Sequence, residues 1–270
     1  SRRQRQMCIR DRLYVLYIHV KHGIIINIIG GLFMKKESKI AFTLAEVLIT
    51  LGIIGVVAAM TIPSLIQSYK EKATVTAVKQ SYSIFAQALK MVTIDNPDLS
   101  ALTDSSLSAK ENSQIMFNEI SKHIKKVKSC DVDKKCMGNT YYLNLNNEKV
   151  SNWDTYNNLV TGVLANGTSF WILSLPASIS GEETYAGQIG IDINGNKRPN
   201  KFGVDFFWFT FNKNGELFAG RGEGTGGIYG NCELSPSNSN WSNGYGCSEW
   251  IITHGNMDYL KRNIRKNPSE

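Results

Sequence analysis

Oxygen-bearing side chains recur at alternate positions after residue 191, a pattern that suits a hard cation. They are Asp192, Asn194 and Asn196, followed farther along the chain by Asp205. Calcium prefers carboxylate and amide oxygens as ligands. Lys197 stands where an EF-hand loop has its glycine, and no glutamate closes the loop, so the segment is not an EF-hand. Two interpretations stay open: a calcium loop of another kind, or a tight turn at Asn194-Gly195 that joins two strands.

Four of the five cysteines form two close pairs. Five residues separate Cys130 from Cys136, and fourteen separate Cys232 from Cys247. An even number of cysteines in local pairs favours two disulfides, and therefore an oxidising compartment. The rival interpretation is a zinc site, but neither pair has the short spacing of zinc ligands and no histidine lies beside them.

Signatures of enzymatic chemistry are missing from the sequence. Residues 42–270 contain two histidines, His123 and His254, in unrelated segments, and neither a nucleophile elbow nor an H-E-x-x-H motif occurs. The glycine-rich stretch 220–230 lacks the Lys-Ser/Thr of a phosphate-binding loop. The sequence therefore predicts no enzymatic activity, and calcium is its one candidate cofactor.

A single acidic residue, Glu46, lies within a long apolar stretch. Residues 42–62 contain no other charge, and a helix of that length rises roughly 30 Å, the thickness of the hydrocarbon core of a bilayer. A carboxylate at such depth is costly, so it marks a candidate functional site. The pattern predicts a membrane-spanning helix whose one charge needs a partner.

The residues around Glu46 resemble the processing segment of type IV pilins and type II secretion pseudopilins. A basic leader, a small residue and an apolar helix that opens with Phe-Thr-Leu-x-Glu follow one another: Lys35, Lys36 and Lys39, then Ala41, then Phe42 to Glu46. Counted from Phe42, Glu46 is fifth and Pro63 is twenty-second, as in that family, and Gly55 falls where many members have a glycine. The family usually has glycine where this chain has Ala41.

The resemblance implies a route of maturation and assembly. A prepilin peptidase would cut between Ala41 and Phe42 and methylate the new amino group of Phe42. The helix would stay in the bacterial inner membrane until an assembly platform and its ATPase drive it into a filament of similar subunits. Glu46 would then face the N-terminus of a neighbouring Phe42, a pairing that offsets the desolvation of a buried charge. Some family members also bind calcium in their C-terminal loops.

The net charge of +7 is confined to the first 41 residues, which contain nine Lys or Arg and two acidic residues. The remaining 21 basic and 21 acidic residues cancel, so overall charge predicts no binding of nucleic acid. We expect residues 1–33 to be non-native upstream sequence and residues 34–41 to be the basic leader. Residues 42–63 would form the membrane or filament-core helix, and residues 64–270 an extracytoplasmic domain.

Periodicity predicts an α+β fold of the pilin type. One helix would run from Phe42 to about Thr93, its first half in the membrane and its second, amphipathic half against a sheet. A second helix is expected from Glu111 to Lys128. Four to six antiparallel strands are expected after residue 140: Tyr141–Leu145, Leu159–Leu164, Ser169–Leu173, Gln188–Ile193, Val204–Phe211 and Glu216–Ala219. The aromatic run Val204–Phe211 predicts part of a subunit contact.

These features predict a structural subunit of a type II secretion pseudopilus or a type IV pilus. The alternative is a minor pilin that acts as an adhesin or ligand-binding module at a filament tip. Its candidate recognition element is residues 220–247, a loop rich in Gly, Ser and Asn that a disulfide would close and that carries Trp241 and Tyr245.

Overall fold

The computed structural model describes residues 43–130, 136, 142–150, 158–176, 185–195, 197–220, 232–233 and 242–261. The chain divides into two compact units, Ser1–Met60 and Thr61–Glu270. The expected boundaries at residues 33 and 41 lie outside the described residues.

Within the first unit, the described chain is the opening of a single long helix, α1 (Leu44–Asp95). It is apolar and exposed, from Leu44 at 79% to Met60 at 74% of full side-chain exposure. Among the described residues, α1 is the one helix long and apolar enough to cross a membrane. The expectation of one helix from Phe42 to about Thr93 is confirmed to within two residues at each end.

In the second unit, α1 changes from an exposed helix to a packed one. Pro63 lies inside the helix without ending it, although it has no N–H to donate. Burial begins farther along, at positions three or four residues apart that make one helical face: Val78, Ser81, Phe85, Ala88, Leu89 and Val92. Ile66 and Tyr69 remain 47% and 73% exposed, so packing starts well after residue 64, where the extracytoplasmic domain was expected to begin.

The second helix, α2 (Ala109–Ser121), is shorter than predicted. Ser108 and Glu111 form a capping box at its start, each side chain accepting from the backbone N–H of the other residue. The expected continuation to Lys128 is wrong, because the chain turns after Ser121 and residues 126–130 form a strand. Pairing with β4 outweighs the helical preference of the lysines in this run.

The described part of the chain then contains eight strands: β1 (Lys126–Cys130), β2 (Tyr142–Leu143), β3 (Lys149–Val150), β4 (Val160–Leu164), β5 (Ser169–Leu173), β6 (Tyr185–Asp192), β7 (Phe206–Asn212) and β8 (Leu217–Ala219). Six form one antiparallel sheet in the order β1-β4-β5-β6-β7-β8, and β2 with β3 forms a separate ribbon. Gly167 and Gly215 adopt positive φ angles of 89° and 68° in the Asn-Gly turns of two hairpins, β4-β5 and β7-β8.

Both faces of the large sheet are buried. On one face, Phe85 of α1 and Phe117 of α2 pack against Phe170 of β5 with ring centroids 5.2 and 5.7 Å apart. On the other face lies a second, mainly aromatic cluster: Tyr142, Val150, Trp171, Leu173, Phe202, Phe206, Trp208 and Tyr245. In that cluster the indole of Trp171 lies over Gly190, where an added Cβ would come within 2.2 Å of the ring.

The aromatic cluster changes the interpretation of the run Val204–Phe211. Phe206, Phe207, Phe209 and Phe211 are fully buried within this chain, and Trp208 is only 7% exposed. Residues from β2 and from two loops cover the face that was expected to meet another subunit. The run is therefore core, and the predicted subunit contact there is wrong.

The two outer strands of the sheet are protected in different ways. At one edge, β8 is three residues long, and the hydroxyl of Tyr82 in α1 donates to the carbonyl of Leu217 at 2.8 Å. At the other edge, β1 carries the exposed Lys128. Short length, a side-chain partner and exposed lysine are features that make an edge strand a poor template for further strands.

A third helix, α3 (Cys247–His254), and a 3₁₀ turn (Asp258–Leu260) complete the described chain. Gly255 ends α3 with a φ of 69°. The ring of Tyr259 is buried, and its hydroxyl donates to the carbonyl of Gly203 at 2.7 Å. Lys261 then reaches α1, where its ammonium lies 2.6 Å from Glu71. These contacts join residues far apart in the chain and were not predicted.

Candidate functional site

Glu46 lies at the N-terminal end of α1 and forms a capping box with Thr43. The backbone N–H of Thr43 donates to Glu46 Oε2 at 2.8 Å, and the N–H of Glu46 donates to the hydroxyl of Thr43 at 3.2 Å. Such a box satisfies two of the four N–H groups that lack partners at a helix start. This role was not predicted, although Ser or Thr three residues before Glu and ahead of an apolar run is its signal.

The other residues expected to act in processing and assembly have different positions. Ala41 and Phe42 lie outside the described residues, so the cleavage site stays a prediction. Gly55 is exposed, and an added Cβ there would meet no atom within 4 Å. Pro63 is also exposed on α1. Both residues lie on a helix surface that the described chain leaves uncovered.

Asp192 and Asp205 lie together at the end of the sheet where β6 and β7 are joined. Asn194 connects them, because its N–H donates to Asp192 Oδ1 at 3.1 Å and its Nδ2 donates to Asp205 Oδ2 at 3.0 Å. The hydroxyl of Tyr142 donates to Asp192 Oδ2 at 3.0 Å. The backbone N–H groups of Asn200 and Lys201 donate to Asp205 at 2.9 and 2.5 Å.

Both carboxyl groups are almost inaccessible, with Asp192 at 0% and Asp205 at 2% exposure. Burial, and then the charge of Asp205, raises the pKa of Asp192 to about 7. Burial also raises the pKa of Asp205, although its hydrogen bonds oppose the shift. A proton or a cation at this position would relieve the repulsion between the two groups.

The structure brings together three of the four residues proposed as calcium ligands. The fourth, Asn196, lies outside the described residues. The amide oxygens of Asn194 and Asn200 are buried and accept no hydrogen bond from the described part of the chain. Two carboxylates and two amide oxygens are therefore available as metal ligands. They are the hard oxygen ligands that suit calcium. No group of three or more His, Cys, Asp or Glu side chains placed to hold a metal occurs in the described ranges.

The alternative of a tight turn at Asn194-Gly195 is wrong. Gly195 does adopt a positive φ of 65°. However, β6 ends at Asp192 and β7 begins at Phe206, so a long loop joins the two strands. The side chain of Asp205 accepts three hydrogen bonds from that loop and fixes its course.

The cysteines are joined as the two local pairs, Cys130–Cys136 and Cys232–Cys247, with Cα atoms 6.0 and 5.0 Å apart. All four are buried. Cys247 opens α3, and its sulfur lies against Gly203 in the loop between β6 and β7. Most of the loop 220–247, the proposed recognition element, lies outside the described residues.

The apolar helix and the disulfides indicate where the protein is located. The exposed apolar stretch of α1 is of a length that could span a membrane, and two disulfides indicate that the folded domain lies outside the cytoplasm. Comparison with known proteins adds no identity, since no family model, curated protein or solved structure matches the chain.

Proposed function

We propose that this chain is a pilin-like structural subunit of a type II secretion pseudopilus or a type IV pilus. A prepilin peptidase cleaves it between Ala41 and Phe42. The apolar segment then holds it in the bacterial inner membrane, with the disulfide-bonded domain outside. An assembly platform incorporates it into a filament through α1.

The observation that carries this proposal is the change in burial along α1. Large apolar side chains are exposed from Leu44 to Tyr69, whereas the same helix is packed against the sheet from Val78 onward. A soluble protein rarely exposes so large an apolar surface, and such a surface marks contact with a membrane or with other subunits. Glu46, alone among apolar residues, supplies a charge that a neighbouring subunit would neutralise.

The decisive test is maturation. We expect co-expression with a prepilin peptidase to remove every residue up to Ala41 and to add the mass of one methyl group, as measured by intact-protein mass spectrometry. Ala41→Leu should block the cut, because the larger side chain does not fit a site that takes small residues. Ala41→Gly is the matched control and should be cleaved. A wild-type protein that keeps its lysine-rich leader would refute the proposal.

A second proposal concerns the loop between β6 and β7, where we infer a calcium site at Asp192 and Asp205. Its support is the pair of buried carboxyl groups beside two buried amide oxygens. Because the cation needs ionised ligands, calcium should raise the melting temperature at pH 8 more than at pH 5. Asp205→Asn should abolish the increase, and an equal increase in that variant would exclude the site.

A further inference from the structure

A cleft of about 510 Å³ lies between α1 and the turn that follows α3. Every residue that lines it belongs to the second unit. Its volume falls in the range of sites for small molecules. The residues that matter for its chemistry are Ser68, Glu71, Lys72, Val75, Asp258 and Lys261.

The charges in the cleft are balanced: two ammonium and two carboxylate groups. Lys261 lies 2.6 Å from Glu71 and 3.9 Å from Asp258. Glu71 is held by this contact and is only 12% exposed, whereas Lys261 and Asp258 are 57% and 36% exposed. Lys72 is exposed and makes no ion pair within the described ranges. The cleft therefore presents both signs of charge to a ligand.

The surface that leads to the cleft along α1 is apolar. Leu65, Ile66 and Tyr69 are 70%, 47% and 73% exposed, and Ser68, the first residue of the cleft, lies among them. An apolar run that ends in tyrosine and lysine is typical of the boundary between the hydrocarbon core and the headgroups of a membrane. The cleft thus begins at the level where phospholipid headgroups would be.

We propose that this cleft binds the headgroup of a zwitterionic phospholipid that carries a primary amine. Lys72 and Lys261 would hold the phosphate, while Asp258 and Glu71 would accept hydrogen bonds from the ammonium. Lys261 pairs with both carboxylates in the cleft. When it turns to the phosphate, the ammonium of the lipid replaces it beside Glu71 and Asp258, whereas an anionic lipid without an amine offers no cation in its place. A quaternary amine donates no hydrogen bond and is recognised by aromatic rings, none of which is among the residues lining this cleft.

The test uses the full chain in phosphatidylcholine nanodiscs that contain equal small fractions of phosphatidylethanolamine and phosphatidylglycerol. Native mass spectrometry after release measures which lipid the protein retains. We expect phosphatidylethanolamine to be enriched several-fold. Lys72→Ala and Asp258→Asn should each reduce the enrichment by about tenfold, the effect of losing one charge-assisted hydrogen bond. Lys90→Ala is the control, since Lys90 is an exposed lysine farther along α1 and should change nothing.

Three results would overturn the inference: no enrichment, enrichment of phosphatidylglycerol, or equal loss in Lys90→Ala. Soluble glycerophosphoethanolamine distinguishes a lipid site from a site for the free headgroup. If it displaces the lipid at low concentration, the cleft is a site for the free headgroup and not for a lipid. The inference rests on the membrane anchoring in the proposed function. A chain that does not enter nanodiscs refutes that anchoring, whereas a chain that enters without lipid preference refutes the headgroup site alone.

Discussion

Glu46 has one interaction partner within its own chain, Thr43, and a second that we propose in a neighbouring subunit. Within the chain it accepts hydrogen bonds from the backbone and hydroxyl of Thr43, which satisfies the start of α1. The carboxylate remains exposed, so the capping box leaves it able to meet the amino group of another subunit. The two roles differ chemically, because a cap needs an acceptor and an ion pair needs a charge.

Two substitutions at Glu46 separate these roles. Glu46→Gln keeps an acceptor for the capping box but removes the charge, whereas Glu46→Ala removes both. We expect both variants to enter the membrane and both to fall at least about tenfold in filament incorporation, since breaking a buried ion pair costs about 3–5 kcal/mol. Sheared filaments quantified against the membrane pool give the measurement. Normal incorporation of Glu46→Gln would show that capping alone is needed.

Asp192 makes the stability of the domain depend on pH. Its pKa is about 7 in the folded chain and near 3.8 when unfolded, so between these values the folded state binds more protons. Stability therefore falls as pH rises through this window, by up to about 4 kcal/mol at 1.36 kcal/mol per pKa unit. Asp192→Asn, which mimics the neutral form, should be more stable than wild type at pH 8 in the absence of calcium and similar to it near pH 4.

The control for Asp192→Asn is Asp98→Asn. Hydrogen bonds from Ser100 hold the pKa of this exposed carboxyl below its ordinary value, so the charged form is favoured and the substitution should not stabilise the protein at pH 8. Urea denaturation at both pH values measures the difference. If Asp192→Asn destabilises the domain at pH 8, the burial of this carboxyl group and its repulsion by Asp205 do not set the pH dependence.

At the scale of elements, α1 combines a surface for other molecules with a surface for its own domain. Phe85 is fully buried and meets Phe170, so Phe85→Ala should lower the free energy of unfolding by about 3–5 kcal/mol. Tyr69→Ala, at a residue 73% exposed, should change it by less than about 0.5 kcal/mol. Chemical denaturation in detergent, followed by near-UV circular dichroism, tests the contrast. Equal losses would contradict the division of the helix.

Local sequence pattern predicted the elements that depend on it. The apolar run of α1 is visible in the sequence by its length. The strands β4, β5 and β7 are visible as short runs rich in β-branched and aromatic residues, and an Asn-Gly turn adjoins β4 and β7. By contrast, β1 is a lysine-rich segment that becomes a strand only by pairing with β4. The helix α3 is short, and its start at a disulfide-bonded cysteine has no local signal.

The candidate calcium site was predictable in part for the same reason. Asp192 and Asn194 are close in sequence, and Asp205 closes the same loop, so spacing alone suggested the group. Tyr142 was missed because it is 50 residues from Asp192 and joins it only through the tertiary fold. The backbone donors of Asn200 and Lys201 depend on the course of the loop, which side-chain chemistry does not reveal.

On the scale of the whole domain, the disulfide Cys232–Cys247 joins Cys232 to the start of α3. Both sulfurs are fully buried, and the loop they close spans 15 residues. Replacing both cysteines by serine should lower the stability by about 3 kcal/mol, the entropy of closing a loop of that length. Thermal unfolding with and without reductant measures the loss. A reductant effect that persists in the double variant would assign it to Cys130–Cys136.

The protection of the outer strands limits how copies of this domain can join. A sheet with unprotected edge strands would pair with strands of other molecules and could grow into cross-β fibrils. Here Tyr82 of α1 donates a hydrogen bond to the outer strand β8, and the exposed Lys128 lies on the outer strand β1. If the chain polymerises as proposed, this protection would disfavour irreversible β-templating and leave subunit contact to the helices, where it could form and dissolve as subunits are added or withdrawn.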